Sequence, residues 1–404
     1  MKSSGTNILG VINMFEPNTI YCGDCKEVLK KFPDECVDLI YMDPPFFSNK
    51  KYEVIWEDGY EVRAFEDRWK GGIEHYVGWM EERIRECHRV LKKTGSIYLH
   101  CDWHASHYLK VMMDRVFGYR NFQNEIIWCY TGLSQRKSSW VRKHDNILFY
   151  TKGKNWTFNY DEVRVPVSEA RLKRIKYSDK QFKSGKAATN PKGKIPEDWW
   201  IIPIIGSTSK ERLGYPTQKP EKLLERIIKA SSNPGDIVLD PMCGCGTAVA
   251  VAHKLGRQWI GIDVSPTACR LMTDRLRNLG VSIGENDIVG LPRTIEELRS
   301  MQPFEFQNWV CQKLGGRVST RKSGDMGIDG WTFDGKPIQV KQSERVGRNV
   351  VDNFETALRR VGKDKGVIIA FSFSKGAYEE VARAKMHDEL EIELKEVSEL
   401  VEQY

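Results

Sequence analysis

Short apolar runs alternate with helix-periodic stretches over most of this chain, and that alternation leaves few folds open to it. VDLIYM (37–42) and SIYLHC (96–101) read as buried strands. Between them Ile73, Val77, Met80, Ile84, Cys87 and Leu91 recur at helical spacing, and the helix is expected to stop near Gly95, after Lys92 and Lys93. EIIWCY (125–130) and NILFYTK (146–152) are two more strands. From Pro220 the rhythm resumes: a helix with the stripe Leu223, Leu224, Ile227 and Ile228, strand IVLD (237–240), a Gly-containing turn, a helix to Gly256, and strand WIGID (259–263). A further helix has Ser265 as N-cap, Pro266 at its first position and Gly280 past its end. Strands of this kind, separated by helices, predict an α/β fold with a mostly parallel sheet covered on both faces.

Charge is unevenly spread. Ser134 to Lys194 holds 16 lysines and arginines against 5 acids, in a 404-residue chain whose formal net charge is only +7. A basic segment in a nearly neutral body is the footprint of a polyanion, although a solvated loop-rich insertion has the same composition. Residues 131–200 also have weak periodicity and contain Trp140, Trp156, Trp199 and Trp200, which either stack on bases or pack in a core. The ten cysteines show no disulfide-like framework. Cys22 and Cys25 have the spacing of half a zinc site without a second half, and read more simply as a strand end and a turn. No stretch has the length of a membrane span, and the start has no signal-peptide pattern.

Two turns carry chemistry. Asp240, followed by glycines Gly244 and Gly246 and by Thr247, lies between a strand and a helix, where glycine lets the backbone approach a ligand and the helix start offers free N–H groups. Asp263, at the end of the next strand, is placed to accept hydrogen bonds from ribose hydroxyls. A full G-x-G-x-x-G is missing, since Ala248 and Val249 follow Thr247. The second turn, Asp43-Pro44-Pro45-Phe46, follows directly on VDLIYM. The amino nitrogen of adenine or cytosine is a poor nucleophile, its lone pair being delocalised into the ring. A carboxylate (Asp43) and a rigidly held carbonyl (Pro44) can each accept one N–H and aim that lone pair outward. Two prolines stiffen the turn and remove competing donors, and Phe46 can stack on a base extruded from the duplex.

With these motifs the chain resembles the beta class of amino-DNA methyltransferases, in which the catalytic tetrapeptide precedes the cofactor glycine loop. DPPF (43–46) precedes DPMCGCGT (240–247), and GD (23–24), NEIIWCY (124–130), HDNILFYTK (144–152) and YPTQKPEKLLERII (215–228) also match. The resemblance spans about residues 15–280. It implies a Rossmann-like S-adenosylmethionine-dependent domain at 1–280 with the target-recognition region at 131–200. It further implies that Asp24 approaches the cofactor adenine, Thr217 and Lys219 its methionine end, and Asp263 its ribose. The substrate would be double-stranded DNA, methylated by base flipping at adenine N6, with cytosine N4 as the alternative. Asp rather than Ser before the two prolines favours adenine. Phe46 stands where many members have Tyr, and Met242 where Phe is usual.

Gly284, Gly290 and Pro292 break the pattern, so 281–298 reads as a linker. Residues 299–404 form a smaller α/β unit, with helices 303–314, 350–361 and 375–387, and strands near 317–320, 328–333, 337–342 and 366–372. Asp334-Gly335 marks a hairpin. Asp329 and Gln339-Val340-Lys341 fall on its two strands, where a carboxylate, a second oxygen ligand and a lysine converging at one sheet edge can hold a divalent cation against a phosphodiester. With FEFQNWVCQKLGG (304–316), GDMGIDG (324–330) and VIIAFSFSKGAYEEVARAK (367–385), this unit resembles the Mrr-type endonuclease domain of the PD-(D/E)xK nucleases. That implies Mg²⁺ on Asp329 and Gln339, with Glu305 and Asp325 as supporting acids. Gln339 replaces the usual second carboxylate, so a non-catalytic DNA-binding module stays open. Both activities on one chain suit restriction–modification in a prokaryotic cytoplasm. No G-x-x-x-x-G-K-[ST] loop is present, which leaves any ATPase or separate restriction subunit to another chain. A homodimer is equally open.

Overall fold

A computed structural model describes residues 15–47, 51–55, 61–66, 72–132, 137–167, 169–170, 173, 192–206, 208–213, 215, 217–319 and 327–401. In chain order the first unit runs β1 (Thr19–Cys22), α1 (Cys25–Leu29), β2 (Val37–Met42), β3 (Lys51–Ile55), β4 (Glu61–Glu66), α2 (Gly72–Val90), β5 (Leu91–Cys101), α3 (Ser106–Phe117), β6 (Phe122–Cys129), β7 (His144–Thr151), β8 (Trp199–Ile201), α4 (Glu221–Ser231), β9 (Ile237–Asp240), α5 (Thr247–Lys254), β10 (Gln258–Asp263) and α6 (Pro266–Asn278). Eight of these strands form one sheet in the order β1-β10-β9-β2-β5-β7-β6-β8. The first five are mutually parallel, and β7 is antiparallel to both β5 and β6.

Both faces of this sheet are covered, which explains the unbroken apolar strands. In β2, Leu39 and Tyr41 point into one core cluster with Ile227 and Val249, while Val37, Ile40 and Met42 point into another with Met80 and Ile84. Helix α2 ends at Val90, earlier than its apolar spacing predicts. Leu91 fits the helical stripe but pairs with Val37 in the sheet and starts β5. An apolar residue at such a junction satisfies both patterns, and here strand pairing prevails.

Strand order fixes where a ligand can sit. From β9 the chain crosses through α5 to β10 on one side, and from β2 through α2 to β5 on the other. The sense in which strands are added across the sheet therefore reverses between the parallel strands β9 and β2, which pair Leu39 with Val238 and Ile40 with Leu239. At such a reversal the crossover connections part and leave a crevice beyond the strands' carboxyl ends. Asp43 follows β2 and Asp240 ends β9, so both turns singled out in the sequence open into that crevice.

Residues 281–291 of the expected linker pack against the first unit, and 295–298 begin the second. Ile283, Ile288 and Leu291 are buried, Val289 N–H donates to the Ile20 carbonyl (3.0 Å), and Cys22 N–H donates to the Val289 carbonyl (2.8 Å). The second unit follows with α7 (Ile295–Ser300), α8 (Pro303–Lys313), β11 (Gly316–Val318), β12 (Gly330–Thr332), β13 (Pro337–Lys341), α9 (Arg348–Arg360), β14 (Lys365–Ala370), α10 (Lys375–Asp388), β15 (Glu391–Glu396) and α11 (Val397–Val401). Its sheet has the order β11-β12-β13-β14-β15. Leu298, Phe306, Val310 and Leu400 cover one face, and Val351, Phe354, Leu358 and Ala377 the other. The DG hairpin is present, with Gly335 at φ 79° and its N–H on the Thr332 carbonyl (2.9 Å). No helix among the described residues is long and apolar enough to cross a membrane.

Candidate active site

The Asp43-Pro44-Pro45-Phe46 turn is held from beneath. Tyr76, on α2, donates its hydroxyl to the Pro45 carbonyl (2.6 Å). Asp43 Oδ2 accepts from Lys219 Nζ, and that ammonium also donates to the Thr217 carbonyl (3.2 Å) and lies 5.0 Å from the centre of the Phe46 ring. The other carboxylate oxygen, Oδ1, is buried without a hydrogen-bond partner and has His100 Nδ1 at 3.9 Å. His100 is fully buried between Tyr41 Oη (2.8 Å from Nδ1) and Asp145 Oδ2 (3.2 Å from Nε2), and Tyr130 donates to Asp145 Oδ1 (3.0 Å). Burial works to raise the Asp145 carboxyl, but the hydrogen bonds from His100 and Tyr130 and the nearby positive charge of Lys219 together outweigh it and hold it below its ordinary range.

On the β9 side, Gly244 (φ 49°) and Gly246 (φ 71°) take left-handed conformations that L side chains resist. Gly244 N–H donates to Asp263 Oδ2 (2.8 Å) and Ser265 N–H to Oδ1 (2.9 Å), which clamps the glycine turn to the end of β10. A side chain at Gly246 would put its Cβ 2.5 Å from Met272 Cγ, so this glycine serves the close packing of α5 on α6. Thr247 is buried and accepts from Arg275 (3.0 Å). Asp24 ends the β1 turn: it caps α1 through Lys26 N–H (2.9 Å) and pairs with Arg83, whose guanidinium lies 3.7 Å from the centre of the Trp79 ring.

These elements enclose a cavity of about 570 Å³, in the range of small-molecule and cofactor sites. Asp24, Asp43, Pro44, Pro45, Phe46, Thr217, Lys219, Asp240, Gly244, Thr247 and Asp263 all line it; Gly246 does not. Among the described residues, the lining holds five carboxylates (Asp24, Asp43, Asp240, Asp263 and Glu305) against two cations, Arg83 and Lys219. The crowding registers in their ionisation. Burial, with the charges of Asp43 and Asp263 beyond it, pushes the Asp240 carboxyl well above its ordinary range. Burial also raises Asp263, despite hydrogen bonds from three backbone amides. A cavity with this excess of carboxylate favours a positively charged occupant. Trp79, Tyr215, Val264 and Phe304 give it apolar walls.

Sequence reasoning did not single out Arg83, His100, Asp145 or Tyr215. Arg83 had a signal, since it falls on the buried stripe of α2 beside Met80 and Ile84. His100 and Asp145 had another, as polar residues inside the apolar runs of β5 and β7. Of the four tryptophans near the recognition region, Trp140, Trp156 and Trp199 are exposed, whereas Trp200 is buried and donates its indole N–H to the Glu197 carbonyl (2.9 Å). Much of that region, including 174–191, lies outside the described residues.

In the second unit, Asp329 N–H donates to the Ile338 carbonyl (2.7 Å), and Asp329 Oδ2 accepts from Val340 N–H (2.8 Å), which seats its carboxylate on β13 between Gln339 and Lys341. Val340 packs into the core on one face of β13, so alternation puts Gln339 and Lys341 together on the other. Gln339 is buried, and its Oε1 has no hydrogen-bond partner. The group does not sit at a sheet edge as expected: β13 is the middle strand of five. Glu305 also departs from its expected place. It lies in the cavity of the first unit, its Oε2 accepting from Thr267 Oγ1 (3.2 Å), because the start of α8 faces α6. Asp325 lies outside the described residues. Asp352, Glu355 and Glu380 also cluster, but Arg348, Arg359 and Arg383 pair with them, so they form an ion network joining α9 to α10.

A family model described as DNA methylase matches residues 37–274, and a second, described as restriction endonuclease, matches residues 298–403. The chain is 35% identical over 263 residues to the DNA adenine methyltransferase YhdJ of Escherichia coli strain K12, covering 65% of this chain and 83% of that one. It is 33% identical over 258 residues to the type II methyltransferase M.HpaI of Haemophilus parainfluenzae, covering 64% and 73%. Among solved structures, the cytosine-N4-specific PvuII DNA methyltransferase aligns with a TM-score of 0.47 and 19% identity, covering 67% of this chain and 89% of that one.

Proposed function

The chain belongs to the DNA methylase family, and on that premise we propose that it methylates adenine N6 in duplex DNA, with S-adenosylmethionine as methyl source, and that its C-terminal restriction-endonuclease unit cuts DNA. The observation that carries the first part is the buried, unpartnered Oδ1 of Asp43, on the same acid-rich cavity as the glycine turn. An amino group brought to that point donates one N–H to Asp43 and the other to the Pro44 carbonyl, which turns its lone pair toward the glycine turn. Lys219 fixes the carboxylate, and Tyr76 fixes the loop. The nitrogen must shed a proton as it gains a substituent, and Asp43 is the acceptor within reach. Asp43 and Phe46 line a cavity, so the target base has to leave the duplex stack, with Phe46 as its stacking partner.

The cavity suits the cofactor in charge and size. Asp263 keeps a lone pair for a ribose hydroxyl after accepting its three backbone amides. We assign Asp24 to the cofactor adenine and Thr217 and Lys219 to its methionine end, as the family resemblance implies; all three line the cavity. S-adenosylmethionine, when bound, supplies a methyl group activated by the sulfonium charge. The Escherichia coli relative is named an adenine methyltransferase, which agrees with Asp rather than Ser before the two prolines.

In the C-terminal unit, the Asp329 carboxylate and the unpartnered Gln339 Oε1 would hold a divalent cation such as Mg²⁺, which would supply Lewis acidity against a phosphodiester. Lys341 would stabilise developing negative charge. We place the enzyme in a prokaryotic cytoplasm. The test is incubation with plasmid DNA and methyl-labelled cofactor, followed by digestion to nucleosides and mass spectrometry. Labelled N6-methyldeoxyadenosine is expected. N4-methyldeoxycytidine would replace the base assignment, and no incorporation would overturn the methyltransferase reading.

A further inference from the structure

The cavity that holds the methylation site is closed partly by the other unit. Gln302, Pro303, Phe304 and Glu305, at the start of α8, line it beside Asp263 and Ser265. The joint beneath them is built. Glu305 Oε2 accepts from Thr267 Oγ1 (3.2 Å), Arg270 donates to Gln312 Oε1 (3.0 Å), and the fully buried Asn308 reaches Thr267 Oγ1 (3.4 Å). Tyr215 ties the two together from the other side. Its ring would lie 3.0 Å from a Cβ at Gly244, and it packs against the core of Phe306 and Trp309 in the second unit.

The same short helix also reaches the second site. Two residues beyond Glu305, Gln307 donates its side-chain N–H to the Asp329 carbonyl (2.7 Å). One rigid element thus carries a carboxylate in the cofactor cavity and a hydrogen bond to the backbone of the acid expected to hold the nuclease cation.

We propose that the endonuclease unit completes the S-adenosylmethionine site through Glu305 and Phe304, and that cofactor occupancy is transmitted along α8, through Gln307, to the Asp329 hairpin. The proposal rests on the methyltransferase reading above. Glu305 adds a second carboxylate next to Asp263, where it can accept a ribose hydroxyl, and Phe304 adds an apolar wall. Two sites coupled through one docked helix act on each other reciprocally: what tightens cofactor binding must equally hold the unit in its docked position.

Hydrogen–deuterium exchange on the full chain, with and without the product S-adenosylhomocysteine, tests this. Slower exchange is expected at 243–250, at 303–313 and in the 327–341 hairpin. Protection at 243–250 with none at 303–313 would overturn the inference and leave the methyltransferase reading intact. Absence of any binding by titration calorimetry would overturn both. Glu305→Gln is expected to weaken S-adenosylhomocysteine roughly tenfold, as for loss of one hydrogen bond to a charged acceptor; an affinity within twofold of the parent contradicts the role given to Glu305. Gln307→Ala is expected to keep that affinity and to lose the protection of 327–341 alone. Protection of the hairpin that survives Gln307→Ala would refute the transmission route.

Discussion

Asp43→Asn is the substitution from which most can be learned, because it changes charge and leaves shape nearly intact. In the parent, Oδ1 is buried and unpartnered while Oδ2 holds Lys219, the two side chains being 18% and 8% exposed. The amide keeps one acceptor and gains two donors. Lys219 will retain the oxygen, so the NH₂ faces the incoming amino group, donor against donor. The loss of a hydrogen bond to a charged acceptor costs about 1.5–3 kcal/mol, and the unpaired donor adds about 1–3 kcal/mol. A combined ~2.5–6 kcal/mol corresponds to a fall of roughly 10²–10⁴-fold in rate. Cofactor affinity should fall far less than the rate, within about tenfold, since Asp43 is one of five carboxylates facing the cofactor's positive charge. The assay is single-turnover methyl incorporation into plasmid under saturating cofactor, with calorimetry for binding. A single-turnover rate within about tenfold of the parent would refute the role given to the carboxylate.

Three further outcomes follow from the same geometry. Lys341→Ala should abolish Mg²⁺-dependent plasmid nicking and leave methyl incorporation unchanged; nicking at the parent rate would contradict the nuclease assignment. Gly246→Ala should lower stability by about 2 kcal/mol or more, since left-handed backbone costs about 1–2 kcal/mol and the new Cβ meets Met272 Cγ at 2.5 Å; an unchanged urea midpoint would contradict it. Burial, with the Asp263 charge adding to it, raises the Glu305 carboxyl to about 6. The folded state then keeps a proton that the unfolded state releases earlier. Glu305 therefore costs nothing below the ordinary carboxylate pKa, and its contribution turns unfavourable as pH rises through about 6. Its partial exposure limits the effect to about 1–2 kcal/mol. Glu305→Gln should accordingly gain stability relative to the parent between pH 5 and pH 7, read as a widening gap in Tm; a gap that narrows would reverse the sign.

What the sequence made legible was local. Asp43 and Asp240 each end a strand, and their turns carry prolines or glycines whose conformational demands survive in any context. Strand pairing then brought them to one crevice, and only the family resemblance anticipated that meeting. The α2 boundary was ambiguous because Leu91 satisfies a helical stripe and a strand alike; its pairing with Val37 decided it. Strand β15 went unread because EIELKE alternates charge with two aliphatics at a sheet edge, a weak signal beside the buried strands. The resemblance to the Mrr-type domain implies that Glu305 supports the nuclease site. Its real surroundings depend on how α8 docks on α6 across 38 residues of sequence, which no periodicity encodes. Arg83 and His100 are different: each is a polar residue on a buried stripe, a conflict visible in sequence that marks positions held by a specific partner.

The most direct measurement is a crystal structure of the full chain with S-adenosylmethionine or its demethylated product. Electron density should put the ligand's sulfur at the Asp43–Pro44 turn, its ribose on Asp263 and its adenine toward Asp24. A ligand whose sulfur points away from Asp43, or that binds outside this crevice, would contradict the account.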